Sequence, residues 1–542
     1  MKAIKNIMIA LSGIALLASC DMDKFFELDR PESNPWLSVD DLEYSVADPY
    51  NTLFQNPNWQ APIGIIPYYQ ELVADLSTVN PQGAYEQEAL YWYPRQMSTF
   101  DVTGQQFEKT FSILYRSVTG ATSPLTYIEE KEKKGEPVFA NMTENDKKTL
   151  ARQTGELYFM RGYTYWLISR AFVAPYDPAG GEGNNRKFIP LINRLDYSQE
   201  SARNPYMGTV KEVYDQMLSD FAKAKSLMPE DYFVRGRANK FSAAMMLMRV
   251  KWLMGDKDGA LEEADYVITK AEAGVAPFDL TEEPIVAFNR NAEQQYTVDP
   301  VSKEVMFECA FTESNQGNNV AIPLARMCKT GIYNFKSKTF DASNKLWLEG
   351  ARGSQNWQHG GWACAYWNPR LIKYIGWAVT DDPMDLTNYV PSAEALADKR
   401  FTQLHYFLKN YTDGGDKTIH EMAYNKTKWN AFWNDKYYRA PYGKYSQVPL
   451  IRLAEAYLTR ATLVLSKNAS QALGDVNKIR QRAGLTPLKN VTEADIEKER
   501  IKEFGFENGD RLLYLVAMQK TIDGQKRNPL IKRQFYSSIH NR

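Results

Sequence analysis

Cysteine is scarce: the 542 residues hold four, at positions 20, 309, 328 and 364. So few thiols exclude a disulfide-stapled scaffold. Histidine is as rare, and His359, His405, His420 and His540 are scattered without metal-ligand spacing. No run of oxygen ligands resembles a calcium loop. Basic charge is not in excess either, with 65 Lys and Arg against 66 Asp and Glu, so a nucleic-acid partner is excluded. Past residue 20 there is no apolar stretch of the about twenty residues that a membrane helix needs. The G-x-S-x-G, H-E-x-x-H and P-loop patterns are missing. A carboxylate pair for glycoside hydrolysis can always be drawn from 66 acidic residues, but none stands out by context. Glu156 and Glu455 lie in helical segments, where pairing with arginine is expected. These absences favour a binding protein without metal or cofactor over an enzyme.

What is present begins with the leader. Lys2 and Lys5 precede an apolar run from Ile7 to Leu17, too short to span a bilayer and suited to a signal peptide over residues 1–19. Leu17, Ala18, Ser19 and Cys20 resemble a bacterial lipobox. That resemblance implies a diacylglyceryl group on Cys20, and several acyl chains on one residue anchor a protein stably. Residues 20–38 read as an extended tether. Its Asp21, Asp23, Glu27 and Asp29 resemble the signal that sends lipoproteins of Bacteroidetes to the cell surface, the reading favoured over a solvated linker, which such charges also suit. Losing Lys2 and Lys5 moves the formal net charge from −1 to −3. Cys309, Cys328 and Cys364 then remain, and small buried thiols are the expected state.

The body, residues 39–542, is expected to be one predominantly α-helical domain. Leu42, Val46 and Tyr50 recur at helical spacing, as do Phe107, Phe111, Leu114 and Val118. Three helix pairs follow, at about 151–228, 240–271 and 449–483. In the first, Val210, Val213, Met217, Phe221, Ala224 and Leu227 form an apolar stripe. In the second, Gly255-Asp256 makes the turn, and Ala260 and Ala264 permit close approach. In the third, which turns near Asn468, Ala472, Val476, Ile479 and Ala483 face inward. Small residues at the crossings point to an interrupted tetratricopeptide-type scaffold. The interruptions, about 75–105 and 275–440, are long, loop-rich insertions with a few short strands, Val305–Phe311 among them. Loops on a rigid scaffold are where binding residues usually sit.

Several stretches in this order resemble the SusD/RagB family of surface lipoproteins: the lipobox, "DLEYSVADPYNTLF", "GELYFMRGYTYWL" with "FIPLI", "MGDKDGALEEADYVI", "KEVMFECAF", "DKRF", "VPLIRLAEAYLTRA", "VNKIRQRAGL" and "IEKERIKEFGFENGDRLLYL". The last departs from the family pattern, because Leu512, Leu513, Tyr514 and Leu515 replace an aromatic-Asp-Leu with basic residues behind it. We expect a structural role there, with Glu499, Arg500, Glu507 and Arg511 forming an ion network. The resemblance implies an outer-membrane protein that holds a glycan or peptide in surface loops. It also implies delivery of that ligand to a SusC-like TonB-dependent β-barrel transporter.

The loops offer candidates of their own. Trp347, Trp357, Trp362, Trp367 and Trp377 place five of twelve tryptophans in one window, where an even spread would put about one. Sugar rings lie flat on indole, and their hydroxyls seek polar groups such as Arg352, Gln355, Asn356, Gln358 and Asn368. Trp377, in "LIKYIGW", is expected to be core; Trp347, Trp357, Trp362 and Trp367 are the ligand candidates. A second cluster, Tyr91, Trp92, Tyr93 and Arg95 with Asn80 before it, cannot point all its rings into one core. The resemblance places that insertion between two early helices, on the ligand face. A third cluster, Trp429, Trp433, Tyr437 and Tyr438, leads into a repeat helix and is expected to be core.

Overall fold

Leu42, Val46 and Leu53 share one face of the opening helix, α1 (Val39–Phe54), and are fully buried. The computed structural model describes residues 36–54, 61–79, 105–196, 198–288, 302–310, 365–379, 390–411, 429–437 and 447–526. After α1 come α2 (Pro62–Val73), strand β1 (Ser77–Val79) and the long helices α3 (Gln105–Lys134) and α4 (Glu144–Phe172). The ladder of β2 (Lys187–Pro190) with β3 (Met207–Thr209) leads into α5 (Val210–Leu227), α6 (Lys240–Leu253) and α7 (Lys257–Glu272).

The second insertion contributes β4 (Val305–Ala310), β5 (Ala365–Trp367) and α8 (Pro369–Tyr374). It continues with the paired β6 (Ala378–Val379) and β7 (Val390–Pro391), then α9 (Ala393–Ala397) and α10 (Lys399–Leu404). Strands β8 (His405–Tyr411) and β9 (Trp429–Asn434) pair with each other. Strand β10 (Gln447–Arg452) then leads into α11 (Leu453–Val464), α12 (Ala469–Arg482), α13 (Glu493–Phe504) and α14 (Asp510–Ala517).

Helices pack as neighbours in the order α1, α3, α4, α5, α6, α7, α11, α12. The array thus continues from α7 to α11 although the second insertion separates them in sequence. The insertion is clasped at its ends, where β4 pairs antiparallel with β10, Cys309 opposite Val448. The molecule is predominantly α-helical, with short two-stranded ladders, most of them at the insertions.

Local chemistry explains the helix boundaries. Thr143, Thr209, Asn239 and Thr492 each close a capping box at the start of α4, α5, α6 and α13, satisfying amides that the helix leaves unpaired. Asp256 caps α7 after the left-handed Gly255. The inner-face residues Ala260, Ala264, Ala472, Val476, Ile479 and Ala483 are completely buried. Leu227, at the end of the α5 stripe, is only partly buried against the core. Cys309 is a buried free thiol, and burial pushes its ionisation up.

Ion pairs lock the repeats. Arg161 on α4 holds Asp220 on α5 through two bonds of 3.0 and 2.7 Å. Arg460 on α11 holds Asp475 on α12 through bonds of 2.8 and 2.7 Å. Glu156 binds Arg237 at 2.6 Å, and Glu455 binds Arg249 at 2.7 and 2.6 Å. Both glutamates therefore pair with arginine, as expected from their helical context.

The closest approach of α4 to α5 is set by glycine. A Cβ on Gly162 would lie 3.0 Å from the Phe221 ring and 3.1 Å from Asp220 Cβ. Gly162→Leu is expected to cost about 1–3 kcal/mol by overpacking. A urea midpoint unchanged from the parent protein would show that the two helices are free to separate.

Candidate functional site

Strand β1 pairs antiparallel with β5: Ser77 faces Trp367, Thr78 faces Tyr366 and Val79 faces Ala365. Asn80 follows Val79 directly, and Ala365 comes three residues after Trp362. The ladder therefore holds the strand just before one aromatic window against the strand just after the other, since opposed residues of an antiparallel pair stand about 5 Å apart. One window leaves the ladder at Asn80 and the other returns to it after Trp362. Asn80, Tyr91, Trp92, Tyr93, Arg95, Trp347, Trp357 and Trp362 lie outside the described residues, as do Cys20, Cys328 and Cys364.

Trp367 corrects the sequence reading. It is completely buried, and its ring lies 5.6 Å from Trp377, 5.2 Å from His405 and 5.2 Å from Phe506. A Cβ added to Gly505 would sit 2.3 Å from its Cη2. Side chains alternate between the faces of a strand, so an exposed ring at Trp367 requires one open face. Here both faces of β5 are covered, because the neighbouring Tyr366 is buried against Trp433, 5.7 Å away. Trp367 is a core residue of β5 and presents no exposed face. Its surroundings distinguish it in sequence as well: it lies past the glycines of the window, next to the Asn368-Pro369 helix start.

Trp377, Trp433 and Tyr437 are buried as expected. Trp377 donates from its indole to Asp398 at 3.2 Å. His405 presents Nδ1 to the Arg400 carbonyl at 3.1 Å. Burial, followed by the charge of Lys436, lowers its basicity well below that of an ordinary histidine.

This aromatic cluster is pinned to the helix array by buried charge. Arg400 of the insertion holds Asp398 through bonds of 2.9 and 2.7 Å, and reaches Glu499 of α13 at 2.8 Å. Lys436, directly after the β9 ladder, binds Glu507 at 2.6 Å. Arg452 binds Glu503 at 2.9 Å and Glu507 at 2.8 Å, and also pairs with Glu304. Arg482 pairs with both Glu304 and Glu503.

Burial opposes ionisation of Glu499, but the charges of Arg400, Lys502 and Arg480 outweigh it and draw its carboxyl down to about 2. The carboxyl of Glu304 is lowered too, where Arg482 and Arg452 overcome the same burial. Glu499, Arg500, Glu507 and Arg511 are all ion-paired, but with other residues rather than with one another, some in this segment and some from elsewhere in the chain. Arg500 binds Asp510 at 2.8 Å, and Arg511 ties α14 to Asp75, beside β1, at 2.8 Å. The departing Leu512, Leu513, Tyr514 and Leu515 are buried.

Among the described residues no helix is long and apolar enough to cross a membrane. Nor do they contain a group of three or more His, Cys, Asp or Glu that could hold a metal ion.

Comparisons with known proteins agree with this architecture. A family model described as starch-binding and associating with the outer membrane matches residues 57–251, and the SusD family model matches residues 303–512. A SusD-like protein of Formosa agariphila is 25% identical over 373 residues, covering 66% of this chain and 62% of that protein. The starch-binding protein SusD of Bacteroides thetaiotaomicron is 42% identical over 67 residues, 12% of each chain. The chain thus matches less than two thirds of the length of either relative.

Among solved structures, a sugar-binding protein (so described, provisionally) from Bacteroides vulgatus superposes with a TM-score of 0.60 at 18% identity, covering 88% of this chain and 87% of that one. The surface glycan-binding protein A of Bacteroides uniformis superposes with a TM-score of 0.60 at 17% identity, covering 89% and 88%. With family models matching residues 57–251 and 303–512, and SusD-type relatives among the curated proteins, the chain belongs to the SusD/RagB family.

Proposed function

We propose that this protein is a glycan-binding lipoprotein of the outer membrane, anchored through Cys20 with its body facing the cell exterior. It captures oligosaccharide or polysaccharide and delivers it to a SusC-like TonB-dependent β-barrel transporter. Capture breaks no bond and so asks for no catalytic group. The observation that supports the reading is the β1–β5 ladder, which pairs the strand just before one aromatic window with the strand just after the other. Indoles at Trp347, Trp357, Trp362 and Trp92, with Tyr91 and Tyr93, offer faces to sugar C–H groups, and Asn80 and Arg95 offer partners to hydroxyls. The names of the family model and of the Bacteroides neighbours, which speak of starch, sugar and glycan binding, point the same way.

The test is isothermal titration of the chain lacking residues 1–20 with soluble starch, maltoheptaose and a panel of other soluble polysaccharides. Heat with one glycan class is expected. Trp357→Ala and Trp92→Ala should each weaken that binding by at least about 10-fold, as loss of a central aromatic contact does. Binding unaffected by both substitutions would remove the aromatic windows from the site. A flat response to every glycan would overturn the reading.

A further inference from the structure

Helices α1 and α3 run antiparallel, with Trp36 against Tyr127 at one end (5.3 Å between ring centres). Further along, a cleft of about 500 Å3 opens between them, lined by Asp48 and Thr52 from α1 and by Ser112, Arg116, Thr119 and Ser123 from α3. That volume falls within the about 300–1,000 Å3 typical of small-ligand sites. Asp48 and Arg116 are both exposed, and neither has an ion-pair or hydrogen-bond partner among the described residues. Two opposite charges line one cleft and do not join each other. One turn before Asp48, Tyr44 is 81% exposed, far more than an aromatic ring needs to be on a helix whose other face is core.

We infer that this cleft is a second carbohydrate subsite, separate from the aromatic windows; the inference rests on the glycan-binding reading above. A carboxylate accepts from two neighbouring sugar hydroxyls, and a guanidinium donates to two. The hydroxyls of Thr52, Ser112 and Thr119 both donate and accept, which suits a ligand rich in hydroxyls. Tyr44 adds a flat amphipathic ring at the rim. A small zwitterion, such as a dipeptide, would satisfy Asp48 and Arg116 but leave the hydroxyls and Tyr44 without a role. A protein partner would look for an apolar centre, and this cleft is centred on two charges.

Gly120 permits the arrangement. A Cβ there would stand 2.3 Å from Asp48 Oδ2, so a single methyl group displaces the carboxylate from the cleft.

The experiment is titration of the chain lacking residues 1–20, carrying Trp357→Ala and Trp92→Ala together, with maltoheptaose, cellopentaose, laminaripentaose and mannopentaose. Diglycine serves as the zwitterion control. Residual binding of the oligosaccharide that the unmodified chain prefers is expected. It should fall at least fivefold on adding Asp48→Asn, Arg116→Gln or Gly120→Ala, with the urea midpoint of the Asp48→Asn variant unmoved. Residual binding that none of the three changes alters would overturn the subsite and leave the glycan reading standing, as would its complete absence in the Trp357→Ala, Trp92→Ala background. A response to diglycine alone, lost with Asp48→Asn, would assign the cleft to a zwitterion and overturn it as well. Should the unmodified chain bind none of the sugars, the glycan reading itself fails and this subsite falls with it.

Discussion

Arg452→Met is expected to lower the stability of the protein by about 3–5 kcal/mol, the loss that follows when one partner of a buried ion pair is removed. Arg452 is 2% exposed and serves Glu304, Glu503 and Glu507, which are themselves buried. Without it, Glu304 keeps Arg482, Glu503 keeps Arg482 and a longer contact of 4.0 Å with Arg400, and Glu507 keeps Lys436. The exposed pair Lys467–Asp258 is the contrast, since removing a surface ion pair changes stability by about 1 kcal/mol at most. Urea unfolding of Arg452→Met and Lys467→Met separates the two cases. A loss below about 1 kcal/mol for Arg452→Met would mean that water or relaxation replaces the missing charge.

The same network sets the response to acid. Glu499 titrates at about 2 in the folded protein against 4.5 for a free carboxyl. A lowered carboxylate contributes stability that is present above its unfolded value and lost as pH falls through the folded one. Stability should therefore decline between about pH 4.5 and 2. His405, also lowered, acts in the same direction and begins to tell as pH falls below 6.5.

Trp367→Ala is expected to cost about 3–5 kcal/mol, as large-to-small changes at fully packed aromatic sites do. Its ring fills the space between Trp377, His405 and Phe506, in the ladder of β1 with β5. Near-ultraviolet circular dichroism gives a direct readout, because Trp367 and Trp377 lie edge to face at 5.6 Å and couple optically. Loss of that coupling together with a lower urea midpoint is the expected result. An unchanged midpoint with lost glycan affinity would return Trp367 to the ligand surface.

The helices were legible because their signals are local. Apolar residues one turn apart mark α4 to α7, α11 and α12, and small residues at the crossings mark α7 and α12. Glu156 and Glu455 could be assigned to arginine for a similar reason: a helical glutamate on a core face has few other ways to be satisfied. Which arginine each one takes is a different matter. Arg237 lies 81 residues from Glu156 and Arg249 lies 206 residues from Glu455, and no periodicity reaches so far.

Trp367 illustrates the limit at the candidate site. Composition placed it with Trp357 and Trp362, because tryptophans beside glycine and asparagine look alike whether they are covered or open. Exposure depends on what packs above and below the strand, and His405, Trp433 and Phe506 arrive there from three separate segments. By itself the sequence determined the helical repeats, their small-residue crossings, and the stretches where aromatic rings concentrate. Only the tertiary structure decided that α7 continues into α11, that β1 just before one aromatic window pairs with β5 just after the other, and that buried arginines bolt the insertion to the array. Those are contacts between residues far apart along the chain, and they depend on shape and charge matching in space that no local pattern encodes.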